Sequence, residues 1–134
     1  MIVVDSSVLA YLLLPSDLTP ATEALLRAEP DWTAPPLWRS EFRNLLAGYL
    51  RRGTLSFEKV IAVQLEAEEL LADGEYSVES PAVMQLARES RCSAYDCEFV
   101  ALAVKLNTIV VTLDKQILSE FPTRAVSLNK YGSP

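Results

Sequence analysis

Four carboxylates, Asp5, Glu41, Asp96 and Asp114, stand beside or within apolar stretches of the chain. Asp5 follows Ile2-Val3-Val4, and Asp114 follows Thr108-Ile109-Val110-Val111-Thr112-Leu113. Glu41 and Asp96 lie among apolar residues in stretches of helical periodicity. An ionised carboxylate taken out of water without a partner is very costly. The chain contains no histidine, and its Lys and Arg are too few in the right places to pair with all four. One bound divalent cation compensates them together, and the chemistry it brings is metal-assisted hydrolysis. Hard oxygen ligands favour Mg2+ or Mn2+ over zinc.

Other chemistries fall away on residue type. Without histidine there is no Ser-His-Asp triad, no imidazole base and no HExxH zinc site. With four glycines in the whole chain there is no glycine-rich phosphate loop. Cys92 and Cys97 are the two cysteines. On a helix their spacing sets them about 140° apart, so they neither bridge locally nor build a zinc site. Buried free thiols in a reducing cytoplasm are expected.

Each acid also has a plainer explanation. Asp5 and Asp114 suit helix N-caps after strands, and Asp96 suits a first-turn position facing the helix dipole. Glu41 has neither excuse. Leu37 and Leu45 stand four residues to either side and Trp38 and Asn44 three, which predicts a core-facing position in mid-helix. A salt bridge to a distant Arg is its alternative. One shared metal site explains the four acids more economically than four separate coincidences.

The elements that must position them alternate. Strands are expected at residues 2–4, 32–34, 76–78, 108–112 and 125–127. Helices are expected from Ser6 to Leu13, from an N-cap at Thr19 with Pro20 first in the helix to about Ala28, and from Pro36 to a Gly53 stop. Others run from a Ser56 cap to about Ala72, packed back as a hairpin, from Ser80-Pro81 to about Arg91, over Ala94–Leu106 and over Asp114–Glu120. Alternating strands and helices predict an α/β sandwich on a parallel sheet. In such sheets ligands bind beyond the carboxyl ends of the strands, where Asp5 and Asp114 would stand. The aromatic side chains Trp38, Phe42 and Tyr49 have the spacing of core or dimer-interface residues.

The 134 residues, half of them hydrophobic, suit a single domain over 1–134 with a substantial core. No apolar stretch is long enough for a membrane span, and the N-terminus lacks the basic region of a signal peptide, so a cytoplasmic protein is expected. The net charge of −6 resides in residues 58–79, where seven acids face Lys59 alone. Elsewhere acids and bases balance, and Arg39, Arg43, Arg51 and Arg52 cluster around Glu41 with Lys115 beside Asp114. An anionic substrate is compatible with that local field. Arg39, Arg43 and Lys115, with Arg88 and Arg91 behind them, are candidate phosphate contacts, ordinary solvated surface being their alternative.

Four segments together resemble the PIN-domain family and, within it, the VapC-type toxins of toxin–antitoxin pairs. They are Ile2-Val3-Val4-Asp5-Ser6-Ser7-Val8-Leu9, Pro36-Leu37-Trp38-Arg39-Ser40-Glu41-Phe42-Arg43-Asn44, Ser93-Ala94-Tyr95-Asp96-Cys97-Glu98-Phe99-Val100-Ala101-Leu102-Ala103 and Val110-Val111-Thr112-Leu113-Asp114-Lys115, in the family's order and spacing. The resemblance implies a three-layer α/β/α sandwich with a central, mainly parallel sheet, and a Mg2+- or Mn2+-dependent endoribonuclease. It matches Asp5, Glu41, Asp96 and Asp114 to the family's metal-binding catalytic quartet, and Ser6, Asn44 and Thr112 to positions that support it. It further implies an RNA substrate, a homodimer and a small VapB-like antitoxin that holds the toxin inactive. Lys115, Gln116 and Ile117 depart from relatives that carry another acid after the last quartet position, which touches a second metal position. With water as the nucleophile, 5′-phosphate and 3′-OH ends are expected. Rival readings are a PIN-fold RNA- or protein-binding module, a housekeeping nuclease, a DNA nuclease, and a phosphate-accepting receiver domain. The last needs paired acids after the first strand, where this chain has Ser6-Ser7.

Overall fold

In the computed structural model, which describes residues 1–132, the run Ile2–Val4 forms β1 and is buried throughout. Three more short parallel strands join it, β2 (Trp32–Thr33), β3 (Val110–Thr112) and β4 (Ala125–Ser127), in the order β2-β1-β3-β4. The register sets Ile2 against Trp32, Val4 against Val111, and Thr112 against Ser127. β1 and β3 are apolar on both faces because helices cover both, as all-parallel sheets require.

The chain leaves β1 through α1 (Ser6–Leu13) and α2 (Thr19–Ala28) to reach β2 on one side. It then passes through α3 (Leu37–Arg51), α4 (Phe57–Leu70), α5 (Ser80–Arg88) and α6 (Ala94–Lys105), and enters β3 on the other side of β1. Short α7 (Lys115–Glu120) leads to β4, and α8 (Asn129–Gly132) follows it. α1 packs on α2, α3 and α4, α5 packs on α6, and α6 lies against β1 and β3, giving the expected α/β sandwich. The reversal of strand order between β1 and β3 opens a crevice at their carboxyl ends, the place where such sheets bind ligands. No helix among the described residues is long and apolar enough to cross a membrane.

Several expectations shift. Residues 76–78 form no strand: only an isolated parallel bridge joins Ala34 to Glu75, through Ala34 N–H to the Gly74 carbonyl and Tyr76 N–H to the Ala34 carbonyl. Gly74 passes so close to β2 that a Cβ there would stand 2.2 Å from the Trp32 carbonyl oxygen. The helix expected to reach Arg91 ends at Arg88. There the Ser90 hydroxyl donates back to the Leu86 carbonyl and accepts from Cys92 N–H. Thr19 is the first residue of α2 and not its cap; its hydroxyl donates to the Tyr11 carbonyl and ties α2 to α1. Ser56 caps α4, and Gly53 takes the left-handed φ of 73° that ends α3. The expected domain span, 1–134, ends two residues beyond the described ones.

Candidate active site

Asp5 leaves the end of β1 and caps α1, its Oδ1 accepting from Val8 N–H at 3.0 Å. Its Oδ2 accepts the hydroxyl of Thr112, the last residue of β3. The same Thr112 oxygen accepts Asp114 N–H at 2.9 Å. Asp114 in turn caps α7, its Oδ1 accepting from Gln116 and Ile117 N–H. The capping explanation therefore holds for both aspartates, and it also serves the site: two strand ends and two helix starts are tied through one buried threonine.

The other two acids come from helices on either side. Ser93 caps α6 by accepting Asp96 N–H at 3.1 Å, which sets Asp96 in the first turn. Glu41 lies in mid-α3, and its Oε1 accepts the Ser6 hydroxyl at 2.8 Å. It does not sit on the core row as expected. That row is Trp38, Phe42 and Leu46, all buried, whereas Glu41 heads the adjacent half-exposed row with Leu45. One helical position of rotation separates a buried charge from a charge on a cleft wall.

All four carboxylates line one cleft of about 400 Å3, with Ser6, Ser7 and Asn44 as further polar walls. Tyr11, Leu45, Phe99, Leu113 and Ile117 supply the rest, and no Lys or Arg is among the lining residues. The acids feel one another. Burial pushes the Asp5 carboxyl up to about 6, and the charge of Asp114 adds to this against the Thr112 and Val8 hydrogen bonds. Burial, then the charges of Asp96, Asp5 and Glu98, raises Glu41. Burial and Asp114 raise Asp96. Burial is the first cause in each case, and neighbouring carboxylates add to it.

The donor set is hard oxygen throughout. Among the described residues, however, no three Asp, Glu or Cys side chains are gathered to hold a metal ion unaided. Mg2+ keeps several waters and takes one or two carboxylates together with substrate phosphate.

Among the candidate supporting residues, Ser6 and Thr112 hold Glu41 and Asp5, and Asn44 lines the cleft. Arg39, expected as a phosphate contact, is engaged elsewhere: its guanidinium pairs with Glu75 at 2.7 Å and Glu68 at 3.0 Å. Glu75 also accepts the buried Trp38 indole N–H. Arg43 and Lys115 are exposed beside Asn44 and Asp114 but are not among the lining residues. Of the outlying pair, Arg88 donates to Gln85 and Arg91 to Glu120. The thiols are buried and free as expected, and burial pushes Cys92 up to about 11, so it is no thiolate nucleophile. Ser7 and Tyr11 escaped the sequence reading. Their signal was available: they stand four residues apart on the helix that Asp5 caps.

A sequence profile described as PIN domain matches residues 2–122. The chain is 28% identical over 124 residues to a protein named Ribonuclease VapC3 from Pyrobaculum aerophilum, covering 90% of this chain and 95% of that one. Its fold superposes on PAE2754 from Pyrobaculum aerophilum with a TM-score of 0.77 at 17% identity, over 97% of this chain and 85% of the other. It also superposes on FitAcB from Neisseria gonorrhoeae with a TM-score of 0.75 at 19% identity, over 96% and 98% of the two chains. A third structure, FitAB bound to an IR36 DNA fragment, gives 0.72 at 19% identity over 96% and 95%. With the family profile spanning nearly its whole length and its fold, this chain belongs to the PIN domain family.

Proposed function

We propose that the chain is a Mg2+- or Mn2+-dependent endoribonuclease, the toxin of a type II toxin–antitoxin pair, hydrolysing RNA phosphodiesters with water. One observation carries the reading: four carboxylates from two strand ends and two helices line a single cleft that no Lys or Arg lines. The similarity to a protein named as a ribonuclease supports RNA as the substrate.

In this reading Asp5, Glu41, Asp96 and Asp114 would hold the cation between them, one or two directly and the others through its waters. When bound, it supplies a water of lowered pKa and neutralises charge building on the scissile phosphate. Ser6 donates to Glu41 and Thr112 to Asp5, and these hydrogen bonds would orient the two carboxylates for a cation. The Asn44 amide, on the cleft wall, orients a phosphate oxygen. Arg43 and Lys115 draw the flanking phosphates from the rim. A small antitoxin and a second copy of the chain are the protein partners implied by the likeness to VapC-type toxins. The two unpaired thiols fit a reducing cytoplasm.

The test is end-mapping of RNA cut in Mg2+ and in EDTA. We expect 5′-phosphate and 3′-OH ends, no cleavage in EDTA, and at least a hundredfold loss in Asp96→Asn with unchanged circular dichroism. Cyclic phosphate ends, or cleavage that survives EDTA, would overturn the mechanism. A receptor role without hydrolysis would show as RNA binding with intact strands. Co-purification of a small protein that suppresses cleavage would support the toxin assignment, and its absence would favour a housekeeping nuclease.

A further inference from the structure

The acidic cleft does not end at the carboxylates. Between α1 and α3 it continues into a second cavity of about 260 Å3, for which Ser7, Tyr11 and Leu45 are shared walls and Ala10, Leu14, Pro15, Ser16 and Tyr49 line the remainder. Helical spacing builds this continuity. Glu41, Leu45 and Tyr49 form one row of α3, four residues apart, and Ser7 and Tyr11 form a row of α1. At 1.5 Å per residue the α3 row runs about 12 Å from the acid to the phenol ring. The Arg52 guanidinium lies 4.9 Å from the centroid of the Tyr49 ring. It folds back over Gly48, where a Cβ would stand 3.1 Å from Arg52 Nη1.

A ligand with its charge at the carboxylate end therefore meets a mainly apolar wall and two phenol rings next, with the Arg52 guanidinium lying over one face of the Tyr49 ring. Tyr49 does not belong to the buried core that takes Trp38 and Phe42 on the same helix; it is half-buried at the core's margin. The cavity holds many times the ~30 Å3 of one water. Single-stranded nucleic acid alternates charge and flat ring in this way, and proteins bind it by joining basic groups to aromatic stacking platforms. We infer that the Tyr11–Tyr49 cavity is a nucleobase subsite. It takes an unpaired base from a nucleotide adjoining the cut, and Arg52 meets that nucleotide's outer phosphate. The inference rests on the nuclease reading for its register, and names what that site requires beside the phosphate.

The test uses short oligoribonucleotides with 2-aminopurine at successive positions, bound with Ca2+ in place of Mg2+, and the same series with one base removed, cleaved in Mg2+. Stacking quenches 2-aminopurine fluorescence. The parent should quench at one position beside the cut, Tyr11→Ala and Tyr49→Ala should abolish the quench, and Tyr49→Phe should keep it. Removing the base there should lower the parent's kcat/KM about 10- to 100-fold and leave the alanine variants nearly indifferent. Retained quenching in both alanine variants, or a parent indifferent to base removal at every position, would overturn the subsite. Should an alanine variant unfold, Arg52→Gln, on the exposed edge, must still reduce the base-position effect. A parent that cuts RNA in an EDTA-sensitive way without base dependence refutes the subsite alone. A parent that quenches 2-aminopurine but cuts nothing refutes the nuclease reading alone.

Discussion

Replacing Asp5 with Asn should stabilise the metal-free fold at neutral pH while silencing the site. The Asp5 carboxyl is pushed from 3.8 to about 6 in the folded chain. At 1.36 kcal/mol per tenfold change, the ionised group costs the fold about 3 kcal/mol at pH 7.5. Two effects reduce the gain on neutralising it. Asp5 keeps some exposure to the cleft, where water relieves part of the desolvation cost. Asn also offers one acceptor oxygen where Asp5 uses two, for Val8 N–H and the Thr112 hydroxyl, at a cost of about 1 kcal/mol. A net gain of about 1–2 kcal/mol remains.

The pH dependence carries a definite sign. Well below pH 3.8 both folded and unfolded chains hold the proton and there is no penalty. As pH rises, the unfolded carboxyl ionises first, so the raised folded pKa draws stability away until the pH passes about 6. Glu41 and Asp96 are raised as well and act in the same direction. Urea denaturation in EDTA at pH 4.5 and 7.5 measures this. With slopes of about 1–3 kcal/mol/M, the Asp5→Asn midpoint should lie roughly 0.5–1 M above the parent's at pH 7.5. The gap should shrink by more than half at pH 4.5. Millimolar Mg2+ should stabilise the parent more than the variant. A variant less stable than the parent at pH 7.5, or a gap independent of pH, would refute the claim that burial, with Asp114 adding to it, holds the Asp5 carboxyl well above its ordinary range.

Three further substitutions test the supports around the site. Thr112→Val keeps shape but removes the donor to Asp5 and the acceptor of Asp114 N–H; it should cost about 1–3 kcal/mol in urea denaturation. It should also move the Asp5 carboxyl further up, read by carbon NMR titration. Glu75→Ala strips the buried Trp38 indole N–H of its acceptor and frees Arg39, for a loss of about 1–3 kcal/mol, with Glu75→Gln recovering part of it. Gly74→Ala places a Cβ 2.2 Å from the Trp32 carbonyl oxygen, a clash between backbone segments that should lower the fold's stability by about 3 kcal/mol or more in a thermal melt.

The buried strands were legible because short, β-branched, doubly apolar runs have few other fates, and β1, β3 and β4 stand where the pattern places them. Two helices were legible from their caps, since Ser56 and Asp114 accept the N–H groups that begin them, whereas the Ser93 cap of α6 emerged only in the structure. The expected strand at 76–78 failed because a β-branched, aromatic stretch forms a strand only with a partner edge, and β2 is two residues long. Arg39 was misread for a related reason. Its sequence neighbours are Trp38 and Glu41, but its spatial partners, Glu68 and Glu75, lie in the acidic stretch that accounts for the whole net charge. That excess of acid is thus partly spent on a structural network.

Residue type alone determined that this chain has no imidazole chemistry, and that four acids needed a common explanation. It also located two of them beyond strand ends and one near the start of a helix, since helix starts and strand periodicity are local properties of the backbone. Tertiary structure decided what no local rule can reach. It brought Glu41 off the core row onto the cleft wall, joined Asp5 to Asp114 through Thr112, and removed Arg39 from the site. Such distances depend on how helices rotate against a sheet, and a single helical position of rotation decides between core and cleft. The convergence of the four acids on one cleft belongs to the packing of α1, α3 and α6 around the carboxyl ends of β1 and β3.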